Sequence, residues 1–128
     1  MKEPCWVDER DCHAFHAMML DRFGGMAGVR DEGLLSSALS RPKQLFNYGQ
    51  PTLFELAAAY ATGIVKNHPF LDGNKRAGFM AAALFLELNG EHFQADEIEV
   101  VERTLALAAG AIEEADYAAW LQRSCAEV

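Results

Sequence analysis

The sequence predicts an all-α fold: a compact bundle of six or seven helices, with two central helices joined by a short polar loop. Three observations predict it. Apolar residues recur at helical spacing through most of the chain, whereas the strict alternation of a half-buried strand is nearly absent. Helix starts are signalled at Asp31, at Thr52 with Glu55 three residues on, and at Asp96. Two segments, 53–67 and 75–88, are apolar almost all round, as helices in the middle of a bundle are.

The elements follow in order. Residues 8–22 carry Phe15, Met18, Met19 and Arg22 at helical spacing and end at Phe23-Gly24-Gly25, where glycine lets the chain turn. Asp31 caps a helix over 32–40 whose stripe is Leu34, Leu35, Ala38 and Leu39. Pro42 is expected to end it, and residues 43–51 (KQLFNYGQP) read as an irregular loop or short hairpin. Thr52 and Glu55 open the first central helix, which runs to about Asn67. The second runs from about Lys75 to Leu88 and stops at Asn89-Gly90. Asp96 starts a helix over 97–109. A last helix spans about 115–123, with Tyr117, Trp120 and Leu121 inward.

At 128 residues the chain is expected to be a single domain over 1–128. Its 51% apolar and 23% charged residues are a globular balance. The net charge of −8 argues against a general nucleic-acid binder, whose affinity comes from basic groups meeting phosphates. Within it, residues 30–76 hold six basic and four acidic residues, +2 against −10 for the remainder. No apolar run approaches the ~20 residues of a membrane span, and the N-terminus lacks an apolar signal core, so no membrane contact is expected. Cys5, Cys12 and Cys125 form no CxxC pair and read as inert, reduced thiols in a cytoplasmic protein. The four histidines have no zinc spacing with them.

The chemistry is expected in Asn67-His68-Pro69-Phe70-Leu71-Asp72-Gly73-Asn74-Lys75-Arg76, between the two apolar helices. Burying such polar groups is costly unless they are paired or functional. The first turn of a helix offers free N–H groups and the positive end of its dipole to an anion. Gly73 lets a phosphate approach the backbone, and Lys75 and Arg76 add positive charge. Asp72 is a hard oxygen ligand for Mg²⁺ bridging phosphates. His68 can take a proton from an incoming hydroxyl, and Phe70 is expected to plug the core. Base, metal ligand and anion cradle together are what phosphoryl or nucleotidyl transfer requires.

HPFLDGNKR resembles the signature of the Fic/Doc family, H-x-F-x-[D/E]-[G/A]-N-x-[R/K]. Residues 14–25, 28–42 and 82–90 also resemble its death-on-curing (Doc) branch, so the likeness covers about 7–123. AMP-transferring relatives look like HPFx(D/E)GNGRxxR. Here Lys75 stands for the second Gly and Phe79 for the second Arg, both departures of the Doc branch. The resemblance implies a toxin that binds ATP reversed and moves its γ-phosphate to a hydroxyl of elongation factor Tu, inhibiting translation. It implies His68 as catalytic base, Asp72 as Mg²⁺ ligand, and Gly73, Asn74, Lys75 and Arg76 as phosphate-binding groups, with Lys66 a further basic candidate. It also implies that residues 43–51 form a flap holding the target by strand addition. The family's autoinhibitory pattern, [S/T]-x-x-x-E-[G/N], finds no match, which implies a separate antitoxin whose helical tail docks in a groove. AMPylation and a non-catalytic peptide-binding module are the alternatives.

Plainer readings hold elsewhere. His16 reads as a capping or buried hydrogen-bonding residue, His13 and His92 as surface. Arg30-Asp31 reads as an ion pair, and Phe79, Met80 and Phe85 as core.

Overall fold

The computed structural model describes residues 2–127. It is an all-α bundle of six helices: α1 (Glu9–Phe23), α2 (Glu32–Tyr48), α3 (Leu53–Asn67), α4 (Asn74–Leu88), α5 (Glu97–Ala109) and α6 (Glu114–Arg123). α3 is the central helix. It packs most extensively against α4, then against α2 and α6. Its Leu56–Ala61 run and Ile64 are wholly buried, as are Ala77, Ala81, Ala82 and Phe85 of α4. Small residues set how closely these helices approach. A Cβ at Gly78 would lie 2.8 Å from Val65 Cγ1 and 3.1 Å from the Ala61 carbonyl. That contact lies at the end of the helix pair nearest the loop that joins them. Tyr60 ties the N-terminal strap to the core: its hydroxyl accepts from Val7 N–H at 3.0 Å and donates to Val7 O at 3.3 Å.

Side-chain caps sit where the sequence placed them, at Asp31 on Leu34 N–H, Thr52 on Glu55 N–H and Asp96 on Ile98 N–H. Asp8 caps α1 in the same way.

Four expectations are corrected. α2 does not end before Pro42; it continues to Tyr48 with Pro42 buried inside it. Proline removes one backbone donor, and tertiary contacts on both sides outweigh that loss here. Ala38, four residues upstream, packs against Gly63, whose added Cβ would sit 3.1 Å from its Cα. Arg41 pairs with Glu114 at 2.5 Å, and Phe46 meets Trp6 edge-on at 5.6 Å. The expected flap over 43–51 is therefore helical as far as Tyr48, with no extended edge there to add a strand to. Extended backbone pairing occurs instead between Val29 and Phe70, in an antiparallel bridge. Two short strands, β1 (Glu91–Phe93) and β2 (Cys125–Glu127), pair antiparallel, with Phe93 opposite Cys125. Three residues are too few to show an alternating pattern, so the sequence could not signal them. Met18, grouped with the first helix's apolar positions, is 66% exposed; the inner face of α1 is Cys12, Phe15, His16 and Met19. No described helix is long and apolar enough to cross a membrane.

Candidate functional site

The loop between α3 and α4 begins with strain. His68 is the C-terminal cap of α3 at φ 54°, ψ 53°, the only non-glycine at positive φ among the described residues. Left-handed backbone costs an L-residue roughly 1–2 kcal/mol, so something must hold it. Arg30 does: its Nε donates to His68 O at 2.7 Å and its Nη2 to Asn67 O at 2.9 Å. A guanidinium on the last carbonyls also suits the negative end of the α3 dipole. The neighbouring backbone adds three bonds. Arg30 and Asp31 N–H both donate to Pro69 O, and Leu71 N–H donates to Gly28 O. Arg30 is thus not an ion-pair partner of Asp31, which caps α2, but the brace of the motif loop.

Asn74 is the hub of that loop and is only 4% exposed. Its Oδ1 accepts from Phe70 N–H at 2.9 Å, and its Nδ2 donates to Phe70 O at 2.9 Å. Because a backbone N–H can only donate, the amide cannot be turned over. Nδ2 then also donates to His68 Nδ1 at 3.1 Å. An accepting Nδ1 assigns the proton of the neutral ring to Nε2. The lone pair available to take a proton is the one that Asn74 holds.

Phe70 is fully buried, as expected, and stacks on His16 with centroids 3.9 Å apart. His16 is a buried hydrogen-bonding histidine: its Nε2 donates to Asp72 O at 2.8 Å. Gly73 follows at φ 76°, where an added Cβ would lie 2.8 Å from Met19 Cε. The Asp72 carboxylate accepts from Gly73 N–H at 2.9 Å and from Met26 N–H at 3.2 Å. Gly25 is needed opposite it, since a Cβ there would be 2.8 Å from Asp72 Oδ2.

His68, Asp72, Gly73, Asn74, Lys75 and Arg76 all line one cavity of about 480 Å³. Met19 and Phe23 of α1 close one side, and Val101, Thr104 and Leu105 of α5 the other. Lys66 is not part of it. Its ammonium donates to Ala108 O, 3.4 Å away near the end of α5. α4 opens on this cavity without a side-chain cap at Gly73. Among the described residues, no three His, Cys, Asp or Glu side chains cluster to hold a metal. Asp72 nevertheless suits Mg²⁺, an ion commonly bound by one carboxylate together with water and phosphate oxygens. A shallower hollow of about 750 Å³ adjoins the cavity and shares Phe79, Glu97 and Val100 with it.

The thiols stand apart from this chemistry. Burial, with the carboxylates near it, pushes Cys12 up to about 12, and burial pushes Cys125 up to about 11. Both are protonated at neutral pH.

The sequence reading missed Arg30 as the brace and Phe23 as a wall of the cavity. Phe23 was read only as part of a helix stop. Its contact is with Arg76, whose guanidinium carbon lies 4.1 Å from the ring centroid.

A family model described as the Fic/DOC family matches residues 6–86. The chain is 33% identical over 118 residues to a protein named Protein kinase doc of Escherichia phage P1, covering 91% of this chain and 93% of that one. It is 46% identical over 77 residues to a protein named Toxin Doc of Mycolicibacterium smegmatis, and the match spans 58% of each. The family match takes in the whole loop that Arg30 and Asn74 brace, and the phage similarity runs nearly end to end. The chain belongs to the Fic/DOC family.

Proposed function

We propose that this chain is the toxin of a toxin–antitoxin pair that uses ATP and Mg²⁺ to phosphorylate a protein hydroxyl in the cytoplasm. Elongation factor Tu is the acceptor that the family resemblance implies, with arrested translation as the consequence. The observation that carries the reading is the uncapped start of α4. It faces a cavity where Lys75, Arg76, His68 and Asp72 converge. Free N–H groups and two cations stabilise a phosphate chain and the charge it gathers in the transition state. The names of the two relatives, a toxin and a protein kinase, support the same reading. Lys75 and Phe79, where AMP-transferring relatives carry Gly and Arg, favour transfer of the terminal phosphate over transfer of AMP.

Each residue has a distinct task. Lys75 and Arg76 hold phosphate oxygens, Arg76 through its planar fork. Asp72 holds the metal, which when bound neutralises phosphate charge. His68 accepts the hydroxyl proton. Its basic lone pair is the one engaged by Asn74, so the exposed ring must release that amide as it takes the proton. Asn74 therefore controls when His68 is free to act as base.

The partner reading rests on the apolar mouth of the cavity. Phe23, Leu71, Val101 and Leu105 line it and are each close to half exposed. Such a mouth suits the apolar face of an amphipathic antitoxin tail, which would cover the site.

The test is incubation with elongation factor Tu and Mg²⁺-ATP carrying label on either the α- or the γ-phosphate. Label on the acceptor from the γ position alone is expected. Label from the α position would replace this reading with AMPylation, and no label from either would remove elongation factor Tu as acceptor.

A further inference from the structure

Phe23 is the last residue of α1, and it is left 48% exposed at the edge of the cavity. The chain turns away at Gly24, φ 78°. An aromatic ring so exposed contributes little to the core. It is not idle, because the Arg76 guanidinium lies over it at 4.1 Å, well inside cation–π range. Arg22 lies further from the same ring, at 5.5 Å. Among the described residues, Arg76 meets no carboxylate within salt-bridge distance, so its charge is not neutralised by the protein.

We propose that Phe23 is a positioning residue for Arg76, a platform that sets the guanidinium with its N–H edge towards the bound phosphates. Stacking uses the face of the guanidinium and leaves its five in-plane donors unused. A carboxylate partner would orient the group equally well but would cancel the charge and occupy the fork. An aromatic ring orients it while doing neither. A long exposed side chain otherwise samples many rotamers and loses that freedom on binding; a stacked one has lost part of it beforehand. The inference rests on the phosphate-binding reading of the α4 start.

Two readouts separate its failure from failure of that reading. The first needs no ligand. Side-chain NMR of Arg76 should show ring-current shifted Hδ and Hε protons, retained in Phe23→Tyr and lost in Phe23→Leu. Unshifted resonances in the native protein would overturn the stack. The second is calorimetric titration with Mg²⁺-ATP and with inorganic tripolyphosphate, which has no nucleoside. Phe23→Leu should weaken both by about three- to tenfold, and Phe23→Tyr by less than about twofold. In an Arg76→Ala background, Phe23→Leu should change nothing further. Arg22→Ala, removing the more distant exposed charge, should stay within about twofold. Native affinity in Phe23→Leu, or an equal loss without Arg76, would overturn the positioning role alone. If the native protein bound neither ATP nor tripolyphosphate, the phosphate reading itself would fall, whatever the NMR showed.

Discussion

Helices α3 and α4 are both 15 residues long, both rich in alanine, and packed on each other, yet they begin in opposite ways. α3 starts with a closed reciprocal box, Thr52 on Glu55 N–H and Glu55 on Thr52 N–H. Glu55 also places negative charge at the positive end of the dipole, worth roughly 0.3–1 kcal/mol. α4 starts at a glycine with no side-chain cap, no acid in its first turn, and Lys75 and Arg76 where cations oppose the dipole. Judged as a helix, α4 begins badly and is held by its packing on α3. Judged as an anion site, it begins well: of the N–H groups at this helix start Asp72 takes only that of Gly73, and an incoming phosphate supplies an acceptor for the free N–H groups of the first turn and a counter-charge for Lys75 and Arg76. The difference teaches where the chain gives up local stability for function.

The largest expected effect breaks the comparison if it fails. His68→Ala should slow transfer by roughly 10²–10⁴-fold. The melting temperature should stay within a few degrees, because the ring is exposed and Asn74 keeps both bonds to Phe70. Rates within tenfold of native would mean that the open start of α4 does not serve His68. ¹⁵N spectra of the ligand-free protein should show Nε2 protonated and Nδ1 bare; the opposite tautomer would remove Asn74 from its controlling role.

Asp72→Ala comes next. Activity should fall to background, and the residual rate should no longer respond to added Mg²⁺ or to EDTA. Because Asp72 also accepts from Met26 N–H, some loosening of residues 24–28 is expected alongside. A mutant that kept a normal Mg²⁺ titration curve would place the metal on other groups.

A matched pair then sharpens the contrast between the two helix starts. Thr52→Ala should lower stability by about 1 kcal/mol, the usual cost of a lost cap, and leave ATP affinity unchanged. Gly73→Ala should lower stability by a similar ~1–2 kcal/mol, from left-handed backbone. The Met19 methyl in its way is the end of a flexible side chain and can swing aside. Unlike Thr52→Ala, it should also weaken ATP binding, since the new methyl sits at the opening of the helix. Equal effects of the two on ATP binding would erase the distinction.

The legible parts of the molecule were those whose physics is local. The Thr52–Glu55 box and the Asp31 and Asp96 caps need only three residues of context, and all appear as read. The polar loop was visible because it interrupts two apolar helices. Pro42 misled because the contacts that keep α2 helical through it, to Gly63, Glu114 and Trp6, lie far along the chain. Within the site, Arg30 braces carbonyls 37 and 38 residues away, and His16 reaches a carbonyl 56 residues away. No motif spacing encodes such distances. The residues that present the chemistry were readable, and most of those that aim it were not.

Lys66 gives the smallest effect and the most discriminating one. By sequence it stands two residues before His68 and reads as another phosphate group. The helix decides otherwise. Two residues along α3 is a rotation of about 200°, so side chains at that spacing leave from opposite faces. Lys66, on the last turn of α3, reaches towards the end of α5, while His68, at the left-handed cap, lines the cavity at the α4 start. Its ammonium there meets the Ala108 carbonyl at 3.4 Å, a long and exposed hydrogen bond at a helix C-terminus. Lys66→Ala should therefore change ATP affinity and transfer rate by less than about twofold, and stability by under about 0.5 kcal/mol. A tenfold loss of ATP affinity at unchanged stability would show that the phosphate chain reaches beyond the α4 start to the end of α3. The contrast between a reactive helix start and its structural neighbour would then need redrawing to include both.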